Sequence, residues 1–321
     1  MNKYIEVKNL KKYFPVPKGQ LHAVDDVSFS IEEGKTLGVV GESGCGKSTL
    51  GRLILHLLEA TDGEILLRGE DITHVKKKRL KELRETMQII FQDPFSSLNP
   101  RMTVEQLVSE PLKIKGGFSK EAIQKATAEI MEIVGIPERM RICYPHELDG
   151  GRRQRVGIAR ALILNPEFIV CDEPVSALDV SIQAQILNLM QDLQEQRHLT
   201  YIFITHDLSV VRYLSHFIIV MYLGQVVEQA PSEEIFENPM HPYTQVLISA
   251  IPMPDIHNKA DRIIVHGELS SPVNPKPGCR FYLRCPYATE VCQQPQIMKE
   301  VSPGHFVLCV RAEKIVNNSM P

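Results

Sequence analysis

"GVVGESGCGKST", Gly38–Thr49, decides the fold. The apolar run Thr36–Val40 reads as a buried strand, and Gly41-x-x-x-x-Gly46-Lys47-Ser48 follows it without a gap. Helical spacing then begins at Thr49–Leu50. Glycines between a strand and a helix let backbone N–H groups turn inward around phosphate oxygens, and the helix start favours negative charge. Gly41, Ser43, Gly44, Cys45, Gly46, Lys47, Ser48 and Thr49 are therefore the expected phosphate cradle. In it the Lys47 ammonium neutralises β- and γ-phosphate charge, and the Ser48 hydroxyl ligates Mg²⁺.

The stretch "FIVCDEPVSALD", Phe168–Asp179, supplies the carboxylates that such a loop needs. Four apolar residues form a strand whose tip carries Asp172, the natural Mg²⁺ partner, and Glu173, placed to orient and deprotonate a water. "TYIFITHDLS" puts His206 just after another apolar strand, a candidate γ-phosphate contact. "IIFQDP" puts Gln92 at the end of a further strand, where it would reach the metal or the attacking water. A parallel sheet gathers such strand ends at one edge, where ligands bind.

Strands are expected at Ile5–Val7, Val24–Ile31, Thr36–Val40, Glu64–Leu67, Met87–Phe91, Phe168–Cys171, Thr200–Thr205 and Phe217–Tyr222. Helical spacing follows Lys47 and recurs at Ile72–Glu85, Val104–Lys113, Lys120–Val134, Gly150–Ile163, Ile182–Gln196 and Ser209–Leu214. "SEEIFENPMHPYTQVLISAIP" reads as one more helical piece. Strands alternating with helices indicate an α/β core, interrupted by an inserted helical subdomain at about 93–160. The core domain is expected over residues 1–250, with an accessory domain over 251–321 entered through the proline-rich linker or cap "SSPVNPKPGC".

A hydrophobic content of 43% and a charged content of 23% are those of an ordinary globular protein. The net charge of −3 over 321 residues argues against binding nucleic acid by bulk electrostatics. No apolar run approaches the roughly 20 residues of a spanning helix, and the first residues lack the apolar core of a signal peptide. The expectation is a chain that starts in the cytosol and reaches a membrane only through a partner. Lys76–Lys81, "KKKRLK", reads as the solvated face of a helix.

Cys45, Cys143 and Cys171 are scattered, whereas Cys279, Cys285, Cys292 and Cys309 crowd together near the C-terminus. In a reducing compartment such a cluster points to a metal, which would stabilise a segment too small for its own core. Its long spacings differ from the tight pairs of structural zinc sites and suit a cuboidal 4Fe–4S cluster. Zinc and free thiols remain the alternatives.

Six motifs in one order, GESGCGKST, FQDP, LDGGRRQR, FIVCDEP, SALD and THD, resemble those of an ABC-type ATPase. "FQDPFSSLNPRMTV", "YPHEL" and "GELSSPVNPKPGCRFYLRCPYATEVC" are similar to the ATP-binding subunits of dipeptide and oligopeptide importers. The resemblance implies the ABC form of the P-loop NTPase fold, a mixed-sheet core with a helical subdomain, and ATP with Mg²⁺ as cofactors. It also points to 4Fe–4S at the four cysteines. It implies a second, homologous ATPase subunit in a head-to-tail dimer, two transmembrane permeases and an extracytoplasmic binding protein, with this chain on the cytoplasmic face of the membrane. In the same pattern Tyr13 or Phe14 stacks on adenine, and Phe95–Arg101 meets the permease. The signature that completes the other subunit's ATP site in trans would be Leu148-Asp149-Gly150-Gly151-Arg152. The family serine is here Asp149, which when ionised accepts hydrogen bonds only and repels a phosphate. Either its charge is neutralised or turned aside, or one of two sites in a heterodimer is weak, or the residue is not native. The cargo is expected to be a peptide, with an oligosaccharide or nickel as alternatives and a soluble, non-transport ABC ATPase as the rival.

Overall fold

The computed structural model describes residues 3–251, 263–265, 267 and 271–312. Most of 252–270, with Ser270 at the head of the proline-rich stretch, and the tail 313–321 lie outside the described residues. The chain forms two compact units, one of Met1–His74 with Phe203–Pro321 and one of Val75–Ile202.

The first unit begins with a long antiparallel hairpin, β1 (Lys3–Val16) and β2 (Gly19–Glu32), in register at Ile5↔Ile31 and Tyr13↔His22. After β3 (Thr36–Val40) and α1 (Lys47–Ile54), β4 (Asp62–Leu67) pairs with the other edge of β1, and β5 (Glu70–Asp71) closes that sheet. All five residues of β3 are buried, as expected of a strand covered on both faces.

The second unit holds α2 (Lys77–Thr86), β6 (Met87–Ile90), α3 (Pro94–Ser97), α4 (Val104–Lys115), α5 (Lys120–Ile133), α6 (Gly150–Leu162), β7 (Phe168–Asp172) and α7 (Val180–Arg197). β6 and β7 pair in parallel, Met87 opposite Phe168. Caps set the helix starts: Thr103 and Gln106 form a capping box on α4, Ser119 caps α5 and Asp149 caps α6. Arg155 and Arg160 of α6 donate to the carbonyls of Val134 and Ser97.

The chain then runs through β8 (Thr200–Ile204) into α8 (Leu208–Leu214), β9 (Phe217–Tyr222), β10 (Gln225–Pro231), α9 (Ser232–Glu237), α10 (Pro242–Ser249), β11 (Lys299–Ser302) and β12 (His305–Val307). β9 lies parallel to β3, whereas β10, β12 and β11 continue antiparallel, so the sheet around β3 is mixed rather than parallel throughout. One apolar cluster joins Val40 of β3 to Val211, Val220, Tyr243 and Phe281.

Two local expectations are corrected, and a third, linker or cap, is narrowed to the cap. The helix expected at Ile72–Glu85 starts at Lys77, because Ile72 and Thr73 bond back to Ile65 of β4. The single helix after Pro231 is two, because the buried Glu228 carboxylate accepts the N–H groups of Met240 (2.7 Å) and His241 (2.9 Å) at the break. The described part of the proline-rich stretch is no free linker: His22 donates to the Pro272 carbonyl (3.0 Å), Asn274 donates to the Gln20 carbonyl (2.9 Å), and Val273 bridges Leu21.

Candidate functional site

The phosphate loop owes its shape to two glycines. Gly46 has φ +106°, and a Cβ there would lie 2.0 Å from the Ala23 carbonyl oxygen. At Gly41 a Cβ would lie 2.1 Å from the Met221 carbonyl oxygen. Neighbours then pin the loop: Gly224 donates to the Cys45 carbonyl (2.8 Å), and the Glu42 N–H donates to the Tyr243 hydroxyl (2.8 Å). Lys47 is buried, and its ammonium donates to the carbonyls of Gly41 (2.8 Å) and Glu42 (3.0 Å). The cation is therefore folded over the loop it serves. Ser43 and Gly44 are exposed, Ser48 and Thr49 half-buried, and the Cys45 thiol is pushed up by burial, against the pull of the Lys47 ammonium.

His206 belongs to the same unit. Thr205, one residue earlier, donates to the carbonyl of Val39 in β3 (3.1 Å), and His206 itself is exposed. Tyr13 is stacked on His22 with ring centroids 3.9 Å apart, and its hydroxyl bonds the Asp25 carboxylate. Phe14 instead carries the Lys12 ammonium 5.1 Å above its ring.

The second unit brings together the remaining candidates. Asp172 is buried at the end of β7, and Glu173 follows in the left-handed region at φ 48°. Gln92 donates to a Glu173 carboxylate oxygen at 2.9 Å. Gln92 does not end its strand as expected, since β6 stops at Ile90 and Asp93 already caps the short helix α3. Asp149 is engaged locally. Its carboxylate accepts the Arg152 N–H (2.8 Å) as the cap of α6 and pairs with the Arg152 guanidinium (3.3 Å). Gly150 and Gly151 lie tight on Leu178 and Ile182, where added Cβ atoms would come within 3.2 and 2.5 Å. Phe95 is exposed with the Arg153 guanidinium 5.1 Å over its ring.

Cys279, Cys285, Cys292 and Cys309 border one small cavity in company with His241 and Tyr287. Burial pushes the Cys279 thiol up to about 12 and the Cys285 thiol up to about 11, and the neighbouring thiols add to both shifts. Four converging thiols suit a soft metal in donor chemistry. Among the described residues no group of three or more His, Cys, Asp or Glu side chains is arranged to hold a metal ion. The cavity that they border measures about 10 Å³.

Sequence reasoning missed the arginines of "CRFYLRC". Arg280 bonds the Asp25 carboxylate and the Leu223 carbonyl, and Arg284 bonds both carboxylate oxygens of Glu42 at 3.1 and 3.0 Å. The signal was their symmetry, since each arginine adjoins one cysteine on the inner side of the pair.

Two family models match the chain, one for the ABC transporter family over residues 24–176 and one for the oligopeptide/dipeptide transporter C-terminal region over 227–292. The chain is 49% identical to the oligopeptide transport ATP-binding protein AppF of Bacillus subtilis, covering 95% of this chain and 96% of that one. It is 50% identical to OppF of the same organism, covering 97% of each. A putative peptide import ATP-binding protein of Brucella ovis is 48% identical over 96% of this chain and 97% of its own length. Among solved structures, the ATP-binding cassette MJ0796 as a dimer in a post-hydrolysis state with ADP and Pi aligns with a TM-score of 0.66. That match has 31% identity and covers 71% of this chain and 98% of that one. CbiO1 of Clostridium perfringens, part of the ABC transporter complex cbiONQ, aligns equally well (0.66) at 29% identity, covering 74% of this chain and 91% of its own.

Proposed function

The chain belongs to the ABC transporter ATP-binding subunits of the oligopeptide type, and from that premise we propose that it is the ATP-hydrolysing motor of a peptide importer. The observation that carries this reading is the phosphate loop, already folded around a buried Lys47 whose ammonium is held by loop carbonyls. A triphosphate competes for that ammonium and offers it charge that the neutral carbonyls lack.

The roles follow from chemistry. The loop N–H groups and Lys47 bind the β- and γ-phosphates, and Ser48 and Asp172 hold Mg²⁺. Glu173, oriented by Gln92, takes the proton of the attacking water. His206 contacts the γ-phosphate. The chain contributes positioning and electrostatic stabilisation to an in-line displacement. Tyr13 is the better candidate for the adenine base, because its hydroxyl is anchored and its ring already stacks. Asp149, Gly150 and Gly151 act in trans on the ATP of a second ATPase subunit. The Asp149 carboxylate would repel that phosphate, and the exposed Arg152 guanidinium beside it offsets only part of that charge. Residues 1–250 are the ATPase domain, with the helical subdomain about 93–160 inserted, and 251–321 the accessory domain.

Two permeases and an extracytoplasmic binding protein complete the assembly at the cytoplasmic membrane face, and no helix among the described residues is long and apolar enough to cross a membrane itself. Exposed Phe95 suits the permease contact. The four cysteines would hold a 4Fe–4S cluster in preference to zinc, supplying cross-links to a segment without a core of its own. The test is reconstitution with the permeases in proteoliposomes: peptide-stimulated ATP hydrolysis is expected. Stimulation by nickel or an oligosaccharide alone would reassign the cargo, and activity indifferent to the permeases would favour a soluble ATPase.

A further inference from the structure

Glu42 is the only acid in the phosphate loop Gly41–Thr49, an odd residue for a loop that wraps a polyanion. All three of its polar groups are tied down. Its N–H donates to Tyr243 (2.8 Å), its carbonyl accepts from Lys47 (3.0 Å), and its carboxylate accepts from Arg284 (3.0 Å). Arg284 comes from the cysteine segment, more than 200 residues away in sequence, and also donates to the Tyr222 hydroxyl at 3.3 Å. Its side chain is 15% exposed and that of Glu42 30%, so the pair is partly shielded from water. The segment itself is fixed: Phe281 is buried against Tyr222 and Tyr243, and Arg280 grips Asp25 and the Leu223 carbonyl.

We propose that Arg284 is a positioning residue for nucleotide binding. By holding the Glu42 carboxylate it cancels the negative charge built into the phosphate loop and makes affinity for a triphosphate depend on the folded cysteine segment of the same chain. Without the arginine, the phosphate loop carries an uncompensated carboxylate, and Glu42 loses one of its three anchors. Losing the arginine alone leaves an unpaired anion in the loop that must take phosphates, whereas losing the carboxylate, alone or with the arginine, leaves no anion to repel them. The inference rests on the reading of Gly41–Ser48 as the ATP site.

The test measures Mg-ATP affinity of the purified full chain in a Glu173→Gln background, which prevents turnover, and KM and kcat of the assembled transporter with native Glu173. Arg284→Ala is expected to raise Kd and KM about tenfold while kcat changes little. Glu42→Gln is expected to stay within about threefold of the parent, and adding it to Arg284→Ala restores affinity to that range. A merely structural role for Arg284 predicts no such rescue. The neutral, polar Arg284→Gln, which keeps more of the side chain than alanine, carries the same comparison should the alanine variant not fold. Parental affinity in the arginine variants, or a double variant as weak as the single one, overturns the proposal. Lys47→Ala separates the two readings, since binding that survives its loss sinks the ATP site itself.

Discussion

Glu173 sits at φ 48°, a backbone region that costs a non-glycine residue on the order of 1–3 kcal/mol. Together with the Gln92 amide bonded to its carboxylate at 2.9 Å, that conformation fixes where the carboxylate points. Glu173→Gln is nearly isosteric and removes only the proton acceptor. ATP turnover in the assembled transporter should fall by at least about a hundredfold, with Mg-ATP affinity retained; normal turnover would make another group the base. Asp149 calls for a different experiment, because the same carboxylate caps a helix and meets Arg152. Serine keeps the cap and removes the charge, so Asp149→Ser should raise the ATPase rate of the assembled pair without lowering its thermal midpoint, as seen by parallel calorimetry. An unchanged rate would mean that Arg152 already neutralises the aspartate. The roles proposed for Lys47, Ser48, Asp172 and Glu173 come from the sequence, because phosphate chemistry permits few residue types at fixed spacing. Arg284 was not legible there, since its partner Glu42 is brought to it only by tertiary folding.

At the scale of elements, the continuous apolar runs of β3, β7 and β9 announced themselves, whereas β11 and β12 are short, and KEVS and HFV carry no period worth reading. Their position depends on a polar contact that no pattern encodes. His305 of β12, fully buried, bonds the Glu228 carboxylate of β10 at 2.7 Å, and the Glu234 carboxylate of α9 lies 3.6 Å from its other ring nitrogen. Burial opposes charge on His305, but the hydrogen bond and charge of Glu228, with help from Glu234, outweigh it and raise its pKa. His241, whose N–H bonds Glu228 at 2.9 Å, goes the other way, down to about 4 through burial against the pull of Glu228. The sign follows. A histidine raised in the folded state gives its full stabilisation below its unfolded pKa of about 6.5 and loses it as pH climbs through the folded value. His241 acts oppositely, so stability falls between about 6.5 and about 4 as it is forced to take a proton. Urea midpoints should thus decline toward alkaline pH in the parent and lose that part of the slope in His305→Asn. The variant should also be weaker by about 3 kcal/mol or more at neutral pH, because Glu228 remains buried with one partner gone. Parallel slopes would show that folding leaves the His305 pKa unshifted.

For the whole molecule, the order of six motifs carried the family. The peptide cargo was legible only through the resemblance to importer subunits, since no residue here need touch it. Metal content belongs to this scale as well. If the proposed cluster is present, anaerobically purified protein should carry iron and absorb in the visible, and chelation should lower its thermal midpoint. Colourless protein with stoichiometric zinc would give the thiols to that metal instead. One contact reaches further than its size. Pro272, Val273 and Asn274 occupy the open flank of β2 at Gln20, Leu21 and His22. Were the tail trimmed before residue 271, that flank would be a bare strand edge, ready to add a strand from any passing copy. Shortened chains should therefore self-associate before they unfold, and light scattering below the melting temperature would register it.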